Sequence, residues 1–172
     1  MLTLLKLLQS LVKALHSEGT PGQVAAGIAL GACLGLTPLL SLHNLVIFAA
    51  LVLLNVSFAG GMLGLAVFTP LGFLLDPLFD RIGAALLRNP ALTGLWTDWY
   101  NTPVVPWTSF NNTVVLGSFA AWLVLVAPLF LWARWAVARY RETYGQRVAN
   151  SRWFRAVKAS RLYTVYGWVR GE

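Results

Sequence analysis

Two long stretches without a formal charge dominate this sequence. No Asp, Glu, Lys or Arg occurs between Glu18 and Asp76, and none between Asp98 and Arg134. A water-soluble chain of 172 residues has too much surface for its volume to hide both, and each of its helices would need a polar face. A bilayer removes that demand, because a span needs only about 20 mostly apolar residues. Charged residues make up 11% of the chain and mean hydropathy is +0.66, against roughly 25% charge in soluble domains. The expected fold is all-α, a polytopic membrane protein.

The charges that remain are placed asymmetrically. Nine of the thirteen basic residues fall between Arg134 and Arg170, opposed there only by Glu142 and Glu172, and the net charge is +7. Arg134, Arg139, Arg141, Arg152, Arg155, Lys158 and Arg161 are the candidate membrane-surface residues. Such a tail reads as cytoplasmic and as a contact for anionic lipid; nucleic acid is not an expected partner. Residues 76–112 hold two basic and three acidic residues and suit the outer side. Lys6 and Lys13 put the N-terminus inside as well, so the number of crossings is even, two or four.

The expected organisation is a membrane domain over 1–133 and a basic cytoplasmic tail over 134–172. The membrane domain begins with an amphipathic helix over 2–16, where Leu5, Leu8, Val12 and Leu15 recur at helical spacing. That helix either lies in the headgroup region or packs on the rest of the protein. Lys6 and Lys13 interrupt its apolar run, so a secretory signal is not expected there. A helical hairpin over 22–56 follows, then a helix over 58–75 ended by Asp76-Pro77, an outer aromatic segment over 76–112 and a span over 113–133. Beyond Arg134 two basic helices are expected.

Thr20 can cap the first hairpin helix, with Pro21 at its first position. Gly27, Gly31 and Gly35 recur every four residues and share one face; Gly60 and Gly64 open the next helix. These five are the expected helix-packing positions, since small faces let helices approach closely in membranes. Cys33 is expected to be a small packing residue. Thr37-Pro38 interrupts the hairpin and releases backbone carbonyls that lipid cannot satisfy. The pattern Thr-Pro-Leu-x-x-Leu occurs at Thr37 and again at Thr69, so two breaks or two proline kinks are expected.

No catalytic constellation, phosphate loop or metal-ligand spacing stands out, so neither an enzyme nor a cofactor nor a metal is expected. The candidate functional polar residues are Thr37, Pro38, His43, Asn44, Asp76, Asp80, Asn111 and Asn112. His43 and Asn44 either contact a proton or ligand beside the break or bond the carbonyls it frees. Asp76 before Pro77 reads as a helix cap and Arg81 as a local ion-pair partner. Asn111-Asn112-Thr113 reads as a cap for the last span. Trp96, Trp99, Tyr100 and Trp107 are candidate interface aromatics, suited to the headgroup boundary or to docking a partner.

Several of these runs resemble an uncharacterised family of small bacterial membrane proteins: Ser17-Glu18-Gly19-Thr20-Pro21-Gly22-Gln23, Gly35-Leu36-Thr37-Pro38-Leu39-Leu40-Ser41-Leu42-His43-Asn44, Leu75-Asp76-Pro77-Leu78-Phe79-Asp80, Phe110-Asn111-Asn112-Thr113 and Lys158-Ala159-Ser160-Arg161-Leu162-Tyr163. The first half is also similar to a broader membrane family with a Gly-rich helix and a proline break. The resemblance implies Gram-negative bacteria, the inner membrane and a larger envelope protein encoded nearby as partner. It implies no substrate. The expected function is a non-enzymatic membrane subunit that anchors or assists that partner in lipid or envelope-component transport. The alternative is a small homo-oligomeric transporter or channel using the Pro38 and Pro70 breaks with His43 and Asn44.

Overall fold

The computed structural model describes residues 19–38 and 41–149, with 144–149 as backbone alone. The expected amphipathic helix over 2–16 and the tail residues Arg152, Arg155, Lys158 and Arg161 lie outside the described residues. The described chain is all-α: α1 (Pro21–Leu36), α2 (Leu42–Leu53), α3 (Phe58–Leu87), α4 (Thr93–Asn101) and α5 (Thr113–Ala149). Short 3-10 turns at Pro90–Leu92 and Val105–Thr108 flank α4.

Helix starts follow local chemistry. Thr20 accepts from the Gln23 backbone while the Gln23 side chain accepts from the Thr20 backbone at 2.7 Å, a reciprocal cap with Pro21 at the first helical position. Ser57 caps α3 by accepting from Gly60 N at 3.1 Å. Asn112 opens α5, its Oδ1 accepting from Val114 N at 3.0 Å and Val115 N at 3.2 Å.

The core is a seam of backbone against backbone. Gly27, Gly31 and Gly35 of α1 face α3; a Cβ at Gly31 would overlap the carbonyl oxygen of Gly61, and one at Gly35 would stand 2.8 Å from that of Leu65. From the other side, a Cβ at Gly60 would lie 2.7 Å from Val24 O, and one at Gly64 would overlap Ile28 O. The seam continues to Gly72, beside Gly35 and Leu36. Lower on α3, Gly83 meets Thr113, and Gly117 of α5 meets Phe79. Close approach of this kind earns dispersion and Cα–H···O contacts where lipid leaves no hydrophobic drive between helices. A cluster of Val24, Ala25, Ile28, Leu63, Ala133 and Val137 closes the three-helix contact. Trp122 Nε1 ties α5 to α1 by donating to Ala29 O at 2.9 Å.

The hairpin α1–α2 begins and ends at one end of the bundle. Ser57 N donates to Gln23 O at 3.0 Å, and the Gln23 side chain donates to Asn55 Oδ1 at 2.9 Å. Arg141 reaches the same end, donating to Gly19 O at 2.7 Å. The opposite end holds the last turns of α3, the first turn of α5 and the segment between them.

Two helices are long and apolar enough to cross a membrane, Phe58–Leu87 and Thr113–Thr143. Only 28% of each apolar window is buried in the protein, whereas the core helix of a soluble protein would be largely covered. Leu53, Phe73, Leu74, Val124, Leu131 and Trp132 lie on the outer surface. An apolar exterior this extensive belongs against lipid or a partner.

Three expectations differ from the structure. Asp76-Pro77 does not end a helix: α3 runs on to Leu87 with Pro70 and Pro77 inside it, so the helix expected over 58–75 takes up the start of the outer segment expected over 76–112, and Asp76 is not a cap. Each proline loses one hydrogen bond, but the contacts of Gly72, Phe79 and Gly83 with α1 and α5 hold the helix through both. Arg134 does not end α5, which continues as one helix to Ala149, because a charge beyond the apolar stretch stops burial and not helicity. Within the outer aromatic segment the chain after Arg88 forms α4. Asp80 accepts from the Thr113 hydroxyl and does not pair with Arg81; the ion pair found among the described residues is Arg139–Glu142 at 3.6 Å.

Candidate functional site

The hairpin tip gathers the polar residues of the apolar region. Pro38 has no N–H to continue α1, and its neighbours take up the exposed carbonyls. Asn44 Nδ2 donates to Pro38 O at 2.9 Å, and Ser41 Oγ donates to the same oxygen at 3.2 Å. The Thr37 hydroxyl lies 2.8 Å from Cys33 O and 2.7 Å from Asn44 Oδ1. It carries one proton and so serves one of these acceptors at a time. Thr37 and Asn44 are buried, 4% and 3% exposed, where an unpaired polar group would cost about 1–3 kcal/mol.

Pro70 sits in the same Thr-Pro-Leu-x-x-Leu pattern with a different outcome. Thr69 Oγ1 donates to Leu65 O at 2.7 Å, the counterpart of the Thr37–Cys33 contact. The chain then stays helical, because Gly72 is held against Gly35 and Leu36. Three and six residues after Pro38 stand Ser41 and Asn44, which bond the broken turn; the same offsets from Pro70 hold Phe73 and Asp76. The two motifs thus give one break and one helix-internal proline.

His43 points the other way, toward the outer segment. Its Nε2 is 3.2 Å from Ser41 Oγ, its ring centroid is 4.9 Å from that of Phe119, and its backbone partner is Thr108. The turn at Val105–Thr108 that supplies this partner is bracketed by two non-glycine residues at positive φ, Val104 at 77° and Ser109 at 57°. Such conformations cost about 1–3 kcal/mol each and collect where a site requires them.

Above the tip, the outer aromatics build a cup. Trp96 stacks on Phe110 at 6.0 Å, Trp99 meets Phe110 edge-on at 5.8 Å, and Trp96 Nε1 donates to Leu86 O at 3.0 Å. Leu87, Thr93, Thr97, Tyr100, Asn101 and Asn111 complete a cavity of 430 Å³. Tyr100, part of that lining, is still 61% exposed, and Trp107 stands outside the cavity, 74% exposed.

The structure therefore brings Thr37, Pro38 and Asn44 into one cluster, which His43 meets only through Ser41, and Trp96, Trp99, Tyr100 and Asn111 into another. Asp76 and Asp80 sit on α3, where Asp80 accepts from the Thr113 hydroxyl, and Asn112 is occupied as a cap. Arg134, Arg139 and Arg141 lie at the Gly19 end. Sequence reasoning passed over Ser41, Thr108, Phe119 and Trp122. Only Trp122 carried a legible signal, a tryptophan in the middle of a span and not at its boundary.

Comparison with known proteins places this geometry in a family without an assigned activity. Residues 6–144 match a family model described as an uncharacterized protein conserved in bacteria (DUF2062). An uncharacterized protein of Treponema pallidum (strain Nichols) is 28% identical over 162 residues, covering 92% of this chain and 98% of the relative. No solved structure matches.

Proposed function

The chain belongs to the DUF2062 family of uncharacterized bacterial proteins, and we propose that within it this chain is a non-enzymatic subunit of the inner membrane that anchors or assists a larger envelope partner, in transport of lipid or another envelope component. Both termini are cytoplasmic in this reading. The arginines at the Gly19 end mark the inner side by the positive-inside rule, and the aromatic segment then faces outward.

One observation carries the proposal: the segment between α3 and α5 presents Trp99, Tyr100, Val104 and Trp107 to the outside, 40–74% exposed, on a base fixed by Phe110 and Trp96. Rigid aromatics held on a scaffold and left uncovered are the composition of interface hot spots. The homo-oligomeric transporter reading draws on the Pro38 break, but Thr37, Ser41 and Asn44 there bond one another and the freed carbonyls, an arrangement that suits a structural plug.

Mild detergent extraction of the tagged chain from its native membrane, with mass spectrometry of what co-purifies, tests this. A stoichiometric larger protein is expected, lost on Trp107→Ala with Tyr100→Ala while the chain itself stays in the membrane. A lone homo-oligomer overturns it and turns attention to flux through His43 variants.

A further inference from the structure

Along the outside of α5 runs a groove that shares no residue with the exposed aromatic segment. It has a volume of 220 Å³ and is lined by Leu36 of α1, Phe68 of α3, and Trp122, Leu125, Pro128, Leu129 and Trp132 of α5. The lining presents no polar surface, and all of it but Leu36 belongs to the two helices long and apolar enough to cross a membrane. Helical spacing puts Leu125, Leu129 and Trp132 on one stripe, and Arg139 continues it seven residues further, two turns on. Arg139 is therefore about 10 Å beyond the end of the groove along the helix axis. Trp132 and Trp135, each 63% exposed, occupy the interval, as tryptophans do at the boundary between acyl chains and headgroups.

We propose that this groove is a binding site for one anionic phospholipid of the cytoplasmic leaflet, its acyl chain along Leu125, Leu129 and Trp132 and its phosphate on Arg139. An apolar lining selects the chain, and the cation at the boundary end selects the charge. Arg139 now pairs with Glu142 at 3.6 Å, both side chains about 70% exposed. An exposed pair of this kind contributes little, so a lipid phosphate displaces the carboxylate. The inference rests on the membrane reading of the chain but is independent of the envelope partner.

The test is native mass spectrometry of the full chain after exchange from vesicles of phosphatidylcholine and phosphatidylglycerol into mild detergent. Wild type is expected to retain one phosphatidylglycerol in preference to phosphatidylcholine. Arg139→Gln reduces that preference about fivefold, the effect of one basic residue at an anionic surface, and Glu142→Gln increases it. Leu129→Trp fills the groove and removes retention of both lipids; Leu123→Trp, on an exposed position outside the lining, leaves it intact and controls for folding. Equal retention of the two lipids by wild type, or unchanged retention in Leu129→Trp, overturns the proposal. Alkaline washing of the source membrane separates the two failures: a chain that stays in the pellet yet retains no lipid refutes the groove alone, while a chain that is washed off refutes the membrane reading as well.

Discussion

Replacing Gly31 by alanine tests the seam on which the fold depends. The added Cβ would overlap the Gly61 carbonyl oxygen and stand 2.8 Å from its carbon and 2.9 Å from Leu65 N. All three atoms belong to backbone, so no side chain can swing aside. Ordinary contact begins near 3.4 Å, and α1 and α3 must separate by roughly 1 Å. A gap of that size forfeits a quarter to a half of the dispersion well of each atom pair it opens. Here the opening extends to the contacts of Gly27, Gly35 and Gly64. Overpacking costs about 1–3 kcal/mol and more where backbone must move, while alanine regains up to about 1 kcal/mol of helix propensity. The expected net loss is about 2 kcal/mol. Gly94→Ala is the matched control, because no atom lies within 4 Å of its Cβ and the propensity gain stands alone. Thermal unfolding of the detergent-solubilised protein, followed by circular dichroism, should show a lower midpoint for Gly31→Ala and an equal or higher one for Gly94→Ala. A Gly31→Ala protein as stable as wild type would refute the close approach of α1 and α3.

Four further outcomes are expected. Asn44→Ala removes one of the two donors to Pro38 O and one of the two acceptors within reach of the Thr37 hydroxyl, leaving Ser41 and Cys33 O to serve them, and should destabilise by about 0.5–1.5 kcal/mol in the same unfolding assay. Trp122→Phe keeps an aromatic side chain but removes the indole N–H that bonds Ala29 O and part of a buried ring; the bond alone averages about 0.6 kcal/mol and reaches about 1.7 between membrane helices, the smaller ring adds to that cost, and tryptophan emission shifts to the red as a buried tryptophan leaves the average. Val104→Gly relieves a positive φ of 77° at an exposed position and should stabilise by about 1 kcal/mol, unless the side chain is itself a partner contact, which the co-purification assay would register. Reporter fusions at Gly94 and after Glu172 should give opposite sidedness, and the same side for both would overturn the proposed orientation.

Much of this molecule is written in local order along the chain. The uncharged stretches over 19–75 and 99–133 demand helices whose outer surface is apolar, and the structure is all-α with two helices of membrane length. The start of α1 is readable from Thr20, Pro21 and Gln23, and that of α5 from Asn112, because caps are made by residues three positions apart at most. Other features were not readable. Pro38 and Pro70 share one motif; Ser41 and Asn44 are local to the first, but that the second rides inside α3 depends on the packing of Gly72 against Gly35 and Leu36. Asp76-Pro77 looks like a helix end, yet Gly72, Phe79 and Gly83 fasten the helix on both sides of it. That His43 meets Thr108 and Phe119 could not be foreseen from a chain in which they are more than sixty positions apart. Sequence determines, through hydration and backbone bonding, that the chain must be helical and where its caps fall. Tertiary structure decides which prolines bend, which glycines touch and which polar groups meet, because those outcomes depend on packing between segments that the chain itself leaves far apart.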